Sequence, residues 1–187
     1  MFMSLPMFEQ ASTSNVAPGR VIWITGLAGA GKTSVAESLQ KLAGLQNARP
    51  ILLDGDVLRT VLGGAQSYEP AHRRMLADRY GRLCLALARQ GFDVICATIS
   101  MYHDVHAWNR ANLPGYLEVY LRVPREELIR RNQKGLYVDQ DKGPVVGLDI
   151  SVEEPLTPDL IIENVGTVTP ELAAAEIAAH LSSRGVK

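Results

Sequence analysis

Apolar residues along this chain fall into short unbroken runs separated by longer stretches in which they recur every three or four positions. Val21-Ile22-Trp23-Ile24, Ile51-Leu52-Leu53 and Val94-Ile95-Cys96-Ala97 are such runs. A run with no polar alternation marks a strand covered on both faces, whereas the three-to-four spacing marks an amphipathic helix. The pattern predicts strand 21–25, helix 31–45, strand 50–54, a helical turn 57–63, helix 70–90 and strand 93–99. It continues with helix 104–112, strand 116–123, helix 124–133, strand 159–163 and helix 169–183. Strand and helix in strict alternation predict an α/β protein, a parallel sheet with helices on both faces in three layers. The last helix has a legible start, with Thr169 as cap, Pro170 in its first position and Glu171 favoured by its dipole. Its Leu172, Ile177 and Leu181 are expected on the sheet, with His180 in solvent. Trp23 is expected in the core, His72 and His106 on exposed helix faces, and Trp108 either in the core or at a dimer contact.

Residues 1–18 show no sustained periodicity and read as a flexible tail. With no repeat and no second core in the pattern, residues 19–187 read as a single domain. The apolar fraction of 47% suits an ordinary globule, and 19 Lys and Arg against 20 Asp and Glu leave no net basic field for nucleic acid. Cys84 and Cys96 read as small buried hydrophobes of a reduced protein, not as a disulfide or metal site. No apolar run reaches membrane-span length, and the first 19 residues lack Lys and Arg, so the expectation is a cytoplasmic protein without a membrane partner.

Directly behind the first strand stands Gly26-Leu27-Ala28-Gly29-Ala30-Gly31-Lys32-Thr33. This is the P-loop pattern: a strand, a glycine-rich bend, and a helix whose free N–H groups face phosphate oxygens. Lys32 has the reach for the β and γ phosphates and the Thr33 hydroxyl suits Mg²⁺. Residues Gly26 through Thr33, with Ser34, are therefore the expected ATP site, and the fold is expected to be that of the P-loop kinases and hydrolases.

The second informative stretch is Leu53-Asp54-Gly55-Asp56 with Arg59. Ligands of parallel sheets bind at the carboxyl ends of strands, which brings Asp54 and Asp56 beside the P-loop. Alternation in an extended chain places both carboxylates on one side of Gly55. Asp56 is read as the base that accepts a proton from an attacking hydroxyl and Asp54 as a member of the metal's water shell. The competing reading is a turn whose aspartates cap the next helix. For Arg59, spacing alone leaves contact with an anionic substrate and plain exposure equally open. A third region carries Arg122, Arg125, Arg130, Arg131 and Lys134, then a weakly periodic stretch over about 134–150. Such a stretch suits a lid that keeps water from the phosphoryl group, with Arg131 and Lys134 as its nearest cations.

Together with Lys134-Gly135-Leu136-Tyr137, these motifs resemble the adenylylsulfate kinase family, P-loop enzymes that move the ATP γ-phosphate to the ribose 3′-hydroxyl of adenylyl sulfate. The resemblance spans roughly residues 20–165. It implies ATP and Mg²⁺, Lys32, Asp54 and Asp56 as the catalytic set, and Asp56 facing the 3′-hydroxyl. It further implies Arg131 beside the ATP base and Arg59, Tyr68, Arg73, Ile99, Ser100, Lys134, Gly135 and Leu136 on the acceptor nucleotide. Tyr68 stands where the family usually has Phe, which keeps a stacking face. A small-molecule nucleotide is the implied partner, with a homodimer the expected assembly.

The acceptor side departs from the family pattern. His72-Arg73 replaces Asp-Arg, Leu76 replaces an Asn, Ser100-Met101-Tyr102-His103 replaces Ser-Pro-aromatic-Arg, and Val145-Val146-Gly147 replaces Phe-Thr-Gly. Leu for Asn removes a donor and an acceptor, and His for Arg gives up a forked cation. Val145 through Ile150, with Trp108-Asn109-Arg110, is similar to a branch associated with surface-polysaccharide pathways that includes cytidine diphosphoramidate kinases. Two other classes stand beside the kinase: a nucleotide-dependent switch, and a non-catalytic ATP-binding assembly subunit. The chain lacks an Asn-Lys-x-Asp guanine-reading stretch, and paired aspartates suit an acceptor hydroxyl. Ser100 has no evident base and is read as a binding residue, not a covalent phosphate carrier. His103 is read as a polar contact, and Asn164-Val165-Gly166 as a turn whose backbone is a candidate wall for the adenine.

Overall fold

Two hydrophobic layers are built from alternate residues of the same strands. In the computed structural model, which describes residues 16–45, 48–62, 69–131 and 152–184, strand β1 (Val21–Thr25) is buried throughout. Its Ile22 and Ile24 face one helical layer, while Val21 and Trp23 face the other. The remaining elements are α1 (Lys32–Leu45), β2 (Ile51–Asp54), α2 (Gly55–Val61), α3 (Pro70–Ala88), β3 (Val94–Ala97), α4 (His103–Asn112), β4 (Leu117–Arg122), α5 (Arg125–Arg131), β5 (Leu160–Glu163) and α6 (Pro170–Arg184). The five strands are parallel in the order β2-β3-β1-β4-β5. All carboxyl ends therefore open on one edge, and the connections leaving β1, β2 and β3 meet there.

The first layer joins Val35, Ala36 and Leu39 of α1 to Ala173, Ala174 and Ile177 of α6, over Ile22, Ile24, Ile95 and Val119. The second joins Leu76, Ala77, Tyr80 and Cys84 of α3 to Val105 of α4, over Trp23 and Cys96. Trp23 is fully buried, and Cys84 and Cys96 are free and buried as expected. Full burial of an aromatic or branched side chain contributes roughly 1.5–3 kcal/mol, so β1 is a large share of what holds the sheet between its two layers. Trp108 is half-buried against the second layer with the Arg82 guanidinium 4.9 Å from its ring centre.

Two expectations fail here. Leu172 is 60% exposed, because the buried stripe of α6 runs through Ala173, Ala174 and Ile177; the small alanines, not the leucine, meet α1. His106 is 6% exposed, enclosed between α4 and β4, and His72 is half-buried. The Thr169 cap is present, its hydroxyl accepting from Leu172 N at 3.3 Å. Most of the tail (1–15), Tyr68, the lid stretch 134–150 with Lys134, Gly135 and Leu136, and Val146 lie outside the described residues. Among the described residues, no helix is long and apolar enough to cross a membrane.

Candidate active site

The bend after β1 works because three of its residues carry no side chain. A Cβ on Gly26 would meet the Leu121 carbonyl at 2.6 Å, and Gly31 has φ +89° with the Asn164 amide 2.9 Å from where its Cβ would be. The loop closes on itself through Ala30 N to Leu27 O at 3.1 Å and opens α1 with Val35 N to Gly31 O at 3.0 Å. Lys32 folds over the loop, its ammonium donating to the carbonyls of Gly26 (2.9 Å) and Leu27 (2.8 Å). The amino-terminal end of α1 and the nearby ammonium give this end of the sheet the positive character that suits an anion. Asn164, at the end of β5, is buried. Its side-chain amide donates to Ala30 O at 2.7 Å and its backbone carbonyl accepts from Arg131 Nη2 at 2.6 Å. Arg131 is also paired with Glu127, whose carboxyl is pulled down to about 2 by hydrogen bonds from Arg130 and Arg131. Arg131 thus flanks the bend from α5 through Asn164.

Asp54 and Asp56 reach the same space by a route that differs from simple alternation. The chain turns helical at Gly55, two residues earlier than the pattern predicts, and Asp54 becomes the N-cap of α2 with φ −86° and ψ 134°. Its Oδ1 accepts from Asp56 N at 2.9 Å and Val57 N at 3.3 Å, while its Oδ2 accepts from the Thr33 hydroxyl at 2.7 Å. The helix-capping alternative is thus what the structure shows for Asp54, and its second oxygen meets the P-loop threonine. Asp56, in the first turn of α2, lies on the wall of the same cavity.

That cavity measures about 370 Å³. It is lined by Ala28, Gly29, Gly31, Lys32, Thr33 and Ser34 from the bend, Asp54, Gly55, Asp56 and Arg59 from β2 and α2, and Arg73, Leu76 and Tyr80 from α3. Ala97, Thr98, Ile99, Ser100, Met101, Tyr102 and Val152 complete it. Gly26 and Leu27 meet Lys32 through their carbonyls, whereas Ala30 and Arg131 lie outside the lining. Three cations, Lys32, Arg59 and Arg73, and two carboxylates, Asp54 and Asp56, line one small volume. That balance suits a polyanion and a hydroxyl that must lose a proton. Arg59 lines the cavity and is half-buried, which sets aside plain exposure. Burial pushes the Tyr80 phenol up to about 12, with Cys96 and Asp56 adding to the rise and Arg59 opposing it.

The wall between β3 and α4 is unusually constrained. Thr25, buried at the end of β1, donates its hydroxyl to Ile99 O. Ser100 has φ +30°, a conformation costing a non-glycine residue roughly 1–3 kcal/mol, and its hydroxyl shares a hydrogen bond with Thr98 Oγ1 at 2.8 Å. His103 anchors the chain that returns toward β5: its Nε2 lies 2.8 Å from Glu154 O and its N–H donates to Glu153 Oε2 at 2.5 Å. Glu118 and His106 are buried polar residues that the reading of the sequence did not assign to the site, and it gave Asn164 only a backbone role, not the side-chain contact with Ala30. The available signals were a carboxylate inside the apolar run Leu117-Glu118-Val119-Tyr120 and an amide directly after β5.

Alkaline pH reports on this packing. Tyr80 and Tyr120 are both raised to about 12, chiefly by burial, from an ordinary value of about 10. A phenol whose folded value exceeds its unfolded one contributes stability that is fully present below about pH 10 and is lost as pH rises through about 12. Melting temperatures are expected to hold steady up to about pH 10 and to fall between about 10 and 12, with phenolate absorbance rising alongside unfolding. Phenolate signal from all six tyrosines in a still-folded chain near pH 10 would contradict the burial of these two.

Known proteins are similar to this chain in sequence and in fold. The adenylylsulphate kinase family profile matches residues 18–163. A cytidine diphosphoramidate kinase of Campylobacter jejuni is 39% identical over 156 residues, 77% of this chain and 85% of that protein. An adenylyl-sulfate kinase of Paraburkholderia xenovorans is 34% identical over 175 residues, 91% of this chain and 97% of that protein. The structure of the Mycobacterium tuberculosis APS kinase in complex with AMPPNP and APS superposes with a TM-score of 0.78 at 28% identity, covering 88% of this chain and 98% of that one.

Proposed function

The chain belongs to the adenylylsulphate kinase family, and from that premise we propose that it transfers the γ-phosphate of ATP to the ribose 3′-hydroxyl of a nucleotide bearing a small modified anhydride. The observation that supports this reading is the shared cavity: Lys32 of the bend, Asp56 and Arg59 of α2 and Arg73 of α3 all line one space, which suits a triphosphate and an acceptor alcohol side by side. The bend and the start of α1 bind the phosphates. Lys32 leaves its two loop carbonyls for the phosphate oxygens and offsets charge that grows as the bond to the leaving group loosens. Asp56 accepts the hydroxyl proton as the acceptor oxygen attacks in line. Thr33 and Asp54 offer hard oxygens, 2.7 Å apart, that would hold Mg²⁺, which when bound neutralises charge on the β and γ phosphates. Asn164 and Arg131 brace the bend from α5 and β5.

Adenylyl sulfate is the first acceptor reading, by family. Cytidine diphosphoramidate is the second, favoured by Leu76: a buried alkyl group on the acceptor wall provides none of the hydrogen bonds an amide there would give. The 39% identical relative bears that substrate's name. Initial rates of ADP formation with ATP and Mg²⁺ against both acceptors, AMP, CMP and no acceptor test the reading. Turnover on the order of 1–100 per second is expected with one of the two modified nucleotides and only background hydrolysis without acceptor. ADP formation that is the same with and without every acceptor would contradict it.

A further inference from the structure

A chain of buried polar contacts runs from the middle of β4 to the wall of the cavity. Glu118 is 2% exposed in an otherwise apolar strand, and a carboxylate is costly there unless donors take up its oxygens. Its Oε2 accepts from Arg110 Nη2 at 3.0 Å and from the Tyr116 hydroxyl at 3.4 Å. Its Oε1 lies 3.0 Å from His106 Nδ1, an ion-pair contact when the ring carries a hydrogen on both nitrogens. The other ring nitrogen, His106 Nε2, is 3.0 Å from the Ser100 carbonyl oxygen, within the buried interior. A carbonyl only accepts, so Nε2 carries a hydrogen and donates it.

Ser100 is the residue such a donor would be needed for. Among the described residues it is the non-glycine residue with positive φ, +30°, and such a conformation persists only where its surroundings over-determine it. One position earlier the Thr25 hydroxyl holds Ile99 O, and Thr98 holds the Ser100 hydroxyl. His106 supplies the hold on the Ser100 carbonyl. We propose that His106, braced by Glu118, is a positioning residue for the acceptor: its Nε2–H fixes the Ser100 carbonyl and keeps the Thr98–Ser100 hydroxyl pair on the acceptor side of the cavity. This rests on the reading of Ser100 as an acceptor-binding residue. Nothing in the contact involves the bend or Lys32, so its loss acts on the acceptor and spares ATP.

Two conservative variants separate this role from simple filling of the interior. The amide nitrogen of Gln reaches the place of Nε2, whereas that of Asn reaches the place of Nδ1. His106→Gln is expected to keep an acceptor KM close to wild type. His106→Asn is expected to raise it roughly 10- to 100-fold, with the ATP KM unchanged in both and melting temperatures matched. Crystal structures of the same pair read the Ser100 φ directly: positive in His106→Gln, relaxed to negative values in His106→Asn. Asn and Gln behaving alike, or ATP and acceptor constants rising together, overturns the proposal. Should His106→Asn fail to fold, Glu118→Gln keeps the volume and weakens the brace; it gives the same acceptor-selective rise, and a rise shared with ATP overturns the proposal. Relaxation of Ser100 in a protein that turns over neither modified nucleotide would uphold the clamp and sink the acceptor reading; an unmoved Ser100 with normal acceptor kinetics would do the reverse.

Discussion

Asp56→Ala is expected to lower kcat by about 10²–10⁴ while ATP binding persists. Proton removal from the acceptor hydroxyl is the only step assigned to this carboxylate, and the γ-phosphate contacts belong to other residues. Asp56 is in the first turn of α2, on the wall it shares with Thr33 and Lys32, while the helix cap is provided by Asp54. Removing Asp56 therefore leaves the cap and the Thr33–Asp54 hydrogen bond in place. Single-turnover rates and ATP titration on the same preparation check both halves. Near-normal turnover in Asp56→Ala would contradict the base assignment, and loss of ATP binding would move Asp56 to the nucleotide side.

Lys32→Ala is expected to show the opposite division. Its ammonium lies within 2.9 Å of two carbonyls of the bend, so it belongs to the loop that holds phosphate. Removing one preorganised donor aimed at developing charge costs about 10²–10³ in kcat. Here the ATP affinity should fall as well, because the cation meets the β and γ phosphates before transfer as well as during it. Acceptor affinity should change little. A full kinetic matrix of Asp56→Ala and Lys32→Ala against both substrates measures the contrast; equal damage to both substrates in both variants would contradict the division of the cavity.

Much of this site is legible in the primary structure because its parts are local. The bend from Gly26 to Thr33 needs glycines at fixed places and a strand before it, and both are present in consecutive residues. Continuous apolar runs announce strands covered on both faces, and Trp23 and Cys96 behave accordingly. What escapes the sequence is contact between distant elements. His106 looks like a polar helix residue until β4 brings Glu118 against it, and Asn164 looks like a turn residue until β5 ends beside Ala30. Leu172 fails for a related reason: α6 meets α1 through alanines, whose small size permits close approach, and one helical step turns the leucine outward. Asp54 takes the capping role that was the competing local reading, with one oxygen on α2 and the other on Thr33. Extended alternation, which placed Asp54 and Asp56 together, is not how they meet: a helical turn begins at Gly55.

The central claim is transfer of a phosphoryl group to a particular sugar oxygen, and phosphorus NMR of the product mixture tests it most directly. After incubation with ATP, Mg²⁺ and the acceptor that supports turnover, a new phosphomonoester resonance should appear in equal amount to ADP and show coupling to the ribose 3′ proton. Orthophosphate as the only new species, or a phosphomonoester coupled to any other position, would contradict the account.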